Sequence, residues 1–117
     1  MPLDQRERFR EALELVVKAW SAKETFACNG KHYQLPMVNL WPRPIQQPHP
    51  PLYMSGSSPE AGELAARQRI GLGFAFTTIG AAAKAAAYYR AQAQAQGWSP
   101  TPDDIIYRVG FHVAETD

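Results

Sequence analysis

The stretch LYMSGSSPEAGELAARQRIGLGFAFTT, residues 52–78, decides the fold. Its apolar start predicts a short strand over residues 52–55, and the pattern after the proline predicts a helix over residues 59–70. A second apolar run predicts another strand over residues 72–78. Strands that alternate with helices favour parallel pairing with right-handed crossovers. The stretch therefore predicts an α/β protein with a parallel sheet.

The turn between the first strand and the helix is small and rich in hydroxyl groups, and it consists of Ser55, Gly56, Ser57 and Ser58. One interpretation is a well-formed helix start, with Ser58 as the N-cap and Pro59 in the favoured first position. The other is a cradle for a phosphate, because a helix start offers unpaired N–H groups and partial positive charge. Gly56 would let the backbone approach the anion. Spacing alone leaves both interpretations open.

The residues before this stretch predict a helix, a hairpin and an irregular connector. Apolar residues recur at helical spacing over residues 4–21, and Asp4 can cap that helix. Asn29-Gly30 indicates a two-residue turn in a hairpin over residues 24–35. Prolines restrict the backbone that follows and predict an extended connector over residues 36–51.

The residues after the stretch predict one more helix and one more strand. Thr78 can cap an alanine-rich helix over residues 79–96, which Gly97 ends. An apolar run then predicts a longer strand over residues 105–114. In the same way, Gly71 is expected to end the helix predicted over residues 59–70. The second half of the chain therefore alternates strand, helix, strand, helix and strand.

Composition argues against several classes of function. The 117 residues carry a net charge of +1, which gives no electrostatic reason to expect nucleic acid or an anionic membrane as a partner. Cys28 is the single cysteine, so no internal disulfide is expected and a cytoplasmic location is predicted. The three histidines are not spaced as a metal-binding set, so no metal is predicted. His32 follows the predicted hairpin turn and is expected to be exposed. No apolar run approaches the roughly 20 residues of a membrane span.

Four segments of the sequence, by their order and spacing, resemble the bacterial luciferase-like family of flavin-dependent monooxygenases. They are RFREALELVVKAW, VNLWPRPIQQPHPP, LYMSGSSPEAGELAARQ and GFHVAETD. The resemblance implies a partial (β/α)8 barrel of the TIM type, with about three parallel strands, their helices and a small hairpin insertion. It also implies an internal piece of the barrel, matching the fifth, sixth and seventh strands. Residues 1–117 would then form one partial barrel domain, made of a helix in 1–22, the hairpin and connector in 23–51, and the strands and helices in 52–117.

In that family, the turn that matches Ser55, Gly56, Ser57 and Ser58 holds the phosphate of reduced FMN, or of a deazaflavin in one branch. The resemblance therefore favours the phosphate interpretation of this turn. It implies a flavin-dependent monooxygenase that oxidises a small organic substrate with oxygen. The FMN contacts beyond the phosphate would lie mostly outside this chain.

His112 is the candidate catalytic residue, because a histidine in the matching position lines the active site of some family members. The alternative is a histidine packed against a face of the sheet. Alternation along the predicted strand places Arg108 on the same face as His112, where it could bind an anion. The alternative for Arg108, which the pattern favours, is a solvated or interface charge. Those members carry an arginine two residues before the histidine, and Gly110 stands there in this chain. This difference puts sulfonate-type substrates in doubt.

An incomplete barrel predicts exposed apolar surface. A parallel piece of this size leaves its sheet edges unpaired and one face uncovered, so the segments LGFAF and IIYRVGF are expected to be exposed. Core packing is nevertheless expected for Phe74 and Phe76. Self-association into a homo-oligomer through the sheet edges is predicted. The alternative to catalysis is a non-catalytic self-associating α/β module, a truncated remnant of such an enzyme.

Overall fold

Residues 3–115 are described by the structure, a computed structural model of the chain. Residues 1, 2, 116 and 117, at the two ends of the predicted domain, lie outside the described residues. The chain divides into two compact units, Met1–Pro50 and Pro51–Asp117. The expectation of one domain over the whole chain stays a prediction.

Helix α1 of the first unit spans Leu3–Ser21, close to the predicted residues 4–21. Asp4 was predicted as the N-cap but lies inside the first turn, where its carboxylate still interacts favourably with the helix dipole. The predicted apolar face is only partly covered, since Phe9 and Val16 are each 42% exposed. No residue between Leu3 and Ser21 is fully buried, so α1 adds little to a closed core.

Strands β1, Phe26–Asn29, and β2, Gln34–Val38, form the predicted antiparallel hairpin. Asn29 pairs with Gln34, so the loop contains all the residues between them and the predicted two-residue turn is wrong. β2 also extends into the predicted connector. From residue 39 to residue 51 the chain is irregular, as predicted, and residue 52, which was predicted to begin a strand, is irregular as well.

Glu11 of α1 explains the longer hairpin loop. Its carboxylate accepts the backbone N–H of Tyr33 at 2.8 Å and that of His32 at 3.1 Å. A Cβ atom at Gly30 would overlap this carboxylate, so the missing side chain at Gly30 leaves room for the carboxylate of Glu11. Desolvation raises the pKa of the Glu11 carboxyl, but the donors of Tyr33 and His32 outweigh it and hold that pKa below its usual value. The His32 side chain is 13% exposed, which contradicts the expectation of an exposed histidine.

The second unit contains the predicted parallel sheet. Its strands are β3, Tyr53–Ser55, β4, Gly71–Ala75, and β5, Ile105–Arg108, and they lie in the order β3-β4-β5. Helix α2, Pro59–Gln68, joins β3 to β4, and helix α3, Ile79–Ala95, joins β4 to a short 3-10 turn before β5. The order of elements in this half of the chain is confirmed.

The two helix starts are capped as predicted. The hydroxyl of Ser58 accepts the N–H of Ala61 at 3.3 Å, and the hydroxyl of Thr78 accepts the N–H of Ala81 at 3.2 Å. Both caps act within four residues, so the sequence alone is enough to indicate them.

The end of α2 differs from the prediction. Arg69, with φ 55°, takes the left-handed position that was expected of a glycine. Gly71 is instead the first residue of β4, where a Cβ atom would overlap the ring of Tyr53. The glycine is therefore used for close packing between β3 and β4.

The core of the second unit lies between the sheet and its two helices. Leu72 and Phe74 of β4 are only 1% and 2% exposed, so the expectation of an exposed LGFAF segment is wrong for these two residues. The helices contribute mainly small side chains, which let them approach closely; the buried ones are Ala65, Ala66, Ala82, Ala86 and Ala93. Tyr89 is the largest fully buried side chain among residues 3–115, and it donates its hydroxyl to the carbonyl of Ile70 at 2.8 Å.

The opposite face of the sheet is open, as an incomplete barrel predicts. The register places Tyr53 and Ile106 on this face, and they are 46% and 48% exposed. Among the helices described between residues 3 and 115, none is long and apolar enough to cross a membrane.

Strand β5 is shorter than predicted. It ends at Arg108 instead of continuing to residue 114, and Val109 and Phe111 beyond it are 59% and 85% exposed. The reason is the length of its neighbour: β4 ends at Ala75, which pairs with Arg108, so no further backbone groups of β4 are available. The expected exposure of the IIYRVGF segment is confirmed in this part.

Tyr89→Phe is expected to lower the free energy of unfolding by about 1–2 kcal/mol, because the buried carbonyl of Ile70 loses its donor. Burial raises the pKa of Tyr89 to about 12. The neutral hydroxyl therefore stabilises the fold fully below the unfolded pKa of about 10, and this contribution is lost as the pH rises through the folded value. Urea titrations should show the gap between the two proteins closing at alkaline pH. A gap independent of pH would contradict the prediction.

Candidate functional site

The serine turn, Ser55 to Ser58, joins β3 to α2 at the carboxyl end of the sheet. Ser55 is the last residue of β3 and Ser58 caps α2. The amide of Gly56 donates to the carbonyl of Gly73 at 3.1 Å, which extends the pairing of β3 with β4 by one step. This amide is used by the sheet and is not available to a ligand.

The remaining donors of the serine turn are open. Within residues 3–115, neither the hydroxyls of Ser55 and Ser57 nor the amides of Ser57 and Ser58 make a hydrogen bond. All three serines are exposed. Helix α2 has 10 residues, and its dipole places partial positive charge at this end. The turn can therefore donate several hydrogen bonds to an anion from solvent.

Gly56 has a role in packing that is separate from any role in binding a ligand. A Cβ atom at this position would lie 2.7 Å from the Cβ of Ala61 in the first turn of α2. Any larger side chain would therefore displace the serine turn from the helix start. Packing requires this glycine whether or not an anion is bound.

The carboxyl ends of β4 and β5 lie at the same edge of the sheet as the serine turn, because the three strands are parallel. Phe76 follows β4 in the left-handed conformation, with φ 55° and 97% of its side chain exposed. The expectation that Phe76 packs in the core is therefore wrong. The guanidinium carbon of Arg108 lies 5.8 Å from the centre of the Phe76 ring, so a positive charge stands at this edge.

The turn at Phe76 was missed by the sequence interpretation, which extended the strand to residue 78. Thr78 supplies the signal that could have found it, since an N-cap requires the strand to end before it and leave room for the entry to α3. Phe74 and Phe76 follow the strand spacing in sequence, yet one is buried and the other exposed.

His112 does not lie on a strand, which contradicts the predicted position. It is exposed and stands beyond the end of β5 at Arg108. The shared strand face expected for the two residues therefore does not exist. In the part of the chain that the structure describes, His112 makes no hydrogen bond or ion pair that would orient its ring. The structure brings the four residues of the serine turn together and leaves His112 apart from any ordered element.

Comparison with known proteins shows the family and the fold. The family described as luciferase-like monooxygenase matches residues 2–117. Monooxygenase RslO1 from Streptomyces bottropensis is 29% identical with a TM-score of 0.80, over 99% of this chain and 36% of RslO1. DmoA from Hyphomicrobium sulfonivorans has a similar fold at 23% identity, with a TM-score of 0.63 over 92% of this chain and 27% of DmoA. The chain therefore spans only between about a quarter and just over a third of the length of these proteins.

These findings confirm the predicted fold class, a partial (β/α)8 barrel with a parallel sheet, its helices and a small hairpin. Members of the matched family generally use a reduced flavin or deazaflavin for oxygenation. Because the family match extends over nearly all residues, the chain belongs to the luciferase-like monooxygenase family.

Proposed function

We propose that this chain supplies the phosphate-binding part of a flavin-dependent monooxygenase that uses reduced FMN and oxygen to oxidise a small organic substrate. The observation that supports the proposal is the serine turn, whose open donors lie at the positive end of α2. The turn stands at the carboxyl edge of a parallel sheet, and barrels of this type bind their ligands at that edge.

The chemistry of the serine turn fits a phosphate better than an uncharged group. Hydrogen bonds from hydroxyl and amide donors to an ionised oxygen are roughly twice as strong as those between neutral groups. Arg108 adds positive charge at the same edge, whereas Glu60 in the first turn of α2 adds negative charge. A deazaflavin that carries a phosphate would use the same donors, so this turn does not distinguish it from FMN.

Reduced flavin, when bound, would supply the electrons with which oxygen is activated. The serine turn would anchor the phosphate and thereby fix the position of the cofactor on the sheet edge. A catalytic role for His112 stays a prediction: the residue is exposed, and within residues 3–115 it makes no hydrogen bond that would orient its ring. A cytoplasmic location is also part of this proposal.

A titration of the chain with FMN and with riboflavin tests the phosphate site, since the two ligands differ by the phosphate. We expect FMN to bind at least about tenfold more tightly, from the helix dipole and the charge-assisted hydrogen bonds. Flavin fluorescence measures both affinities. Equal affinity for the two flavins would overturn the site.

A non-catalytic, self-associating module is the second candidate, and the exposed apolar side chains on and after β5 favour it. Ile106, Phe111 and Val113 are 48%, 85% and 80% exposed, and such surface is usually covered by another chain. We expect a homo-oligomer formed through the sheet edges. Light scattering on the titrated sample measures its mass. A defined oligomer that binds neither flavin would favour this candidate, and a monomer would contradict it.

A further inference from the structure

The first unit brings together three side chains that can ligate a metal ion: Asp4, Glu7 and His32. One ligand atom of each lies within 4.8 Å of the other two. The Nε2 atom of His32 is 3.7 Å from Oε2 of Glu7 and 3.9 Å from Oδ1 of Asp4. The cluster combines one imidazole with two carboxylates, a set of ligand types that binds transition-metal ions.

The geometry of this cluster is built into the contact between α1 and the hairpin loop. Asp4, Glu7 and Glu11 are spaced by three and four positions, so they lie along one face of α1. Glu11 binds the backbone N–H groups of His32 and Tyr33. This anchor holds the loop so that the His32 ring lies over the first turns of the helix.

The Nε2 atom of His32 lies close to both carboxylates of the cluster. This atom is buried and makes no hydrogen bond within residues 3–115. Buried polar atoms in folded proteins nearly always have a partner, because an unpaired one costs stability. The lone pair of a neutral imidazole nitrogen is also the commonest metal ligand in proteins.

We propose that Asp4, Glu7 and His32 form a binding site for a divalent transition-metal ion, with Zn²⁺ as the expected ion. Three protein ligands and an open fourth position are typical of zinc sites that keep a water molecule. Zinc bonds of about 2.0–2.2 Å place tetrahedral ligand atoms about 3.4 Å apart. The 3.7 and 3.9 Å from His32 to the carboxylates, and the separation of up to 4.8 Å within the cluster, therefore have to shorten by rotation of the side chains. Asp4 and Glu7 have side chains 75% and 56% exposed, which leaves them free to rotate.

Lys31 competes with the metal for Glu7. Its Nζ atom pairs with the same Oε2 atom, and the Lys31 side chain is 68% exposed. Ion pairs at this exposure contribute little to stability, so a divalent ion can displace the ammonium group. Removal of Lys31 should therefore strengthen metal binding, which a purely structural cluster does not predict.

Calorimetric titration of Zn²⁺ into the chain, freed of any affinity tag, tests the proposal. We expect one ion per chain, bound at least about tenfold more weakly by Asp4→Asn and by His32→Gln, and more tightly by Lys31→Met. Glu14→Gln is the matched control, because Glu14 is an exposed carboxylate elsewhere on α1. Zn²⁺ should raise the melting temperature of the unchanged chain by more than that of Asp4→Asn.

Absence of binding, or equal binding by Asp4→Asn, would overturn the proposal. Asp4 is 75% exposed, so its replacement should leave the fold intact and a loss of binding would report the site itself. A melting temperature that Zn²⁺ leaves unchanged would also overturn it.

Discussion

Replacing Ser57 with aspartate is expected to lower the affinity of the chain for FMN about a hundredfold, while riboflavin binds as before. The new carboxylate would stand beside the phosphate, and like charges placed together cost several kcal/mol. A hundredfold loss corresponds to about 2.7 kcal/mol. Ser57 is exposed and does not cap α2, so the substitution leaves the helix start intact. Fluorescence titration with both flavins measures the effect.

Ser99→Asp is the matched control for this experiment. Ser99 is exposed in the same unit, and its replacement adds the same charge away from the serine turn. Equal losses of FMN affinity in the two variants would show an effect of net charge and would contradict a site at Ser57. A bulky residue at Gly56 is a poorer test, because its Cβ would clash with Ala61 and disturb the turn directly.

Phe74→Ala is expected to lower the free energy of unfolding of the second unit by about 3–5 kcal/mol. Phe74 is 2% exposed between β4 and the helices, so its removal leaves a cavity as well as losing buried apolar surface. A small domain is stable by only about 5–15 kcal/mol. The variant should therefore unfold at a much lower urea concentration, as followed by far-UV circular dichroism.

Phe76→Ala provides the comparison, since it removes the same side chain two residues further on. Phe76 is 97% exposed, and we expect its replacement to change the free energy of unfolding by less than about 0.5 kcal/mol. Similar losses for the two variants would mean that another chain covers Phe76 in solution. That outcome would contradict the small change expected for Phe76→Ala in a single chain and would favour the predicted oligomer.

Features that depend on neighbours in the sequence were predicted well. Ser58 and Thr78 cap their helices because a hydroxyl reaches an N–H three residues ahead in any protein. The strand and helix order follows from hydrophobic spacing, which is also local. The four residues of the serine turn are consecutive in the chain, so the sequence alone was enough to predict that they lie together.

Features that depend on distant partners were predicted poorly. The strand expected over residues 105–114 ends at Arg108 because β4 ends at Ala75, and the length of a strand is limited by its neighbour. His112 therefore lies beyond the end of the strand instead of on it. The hairpin loop is longer than expected because Glu11, distant in sequence, binds its amides.

The sequence by itself determined the helices, the order of the strands, the capped serine turn and the resemblance to the luciferase-like monooxygenases. Each of these rests on residues a few positions apart or on the order of motifs along the chain. Only the tertiary structure decided which of Phe74 and Phe76 is buried, and that His32 meets Asp4 and Glu7. Burial and clustering depend on which surfaces meet after folding, and no local pattern specifies the residues on the opposite side of a contact.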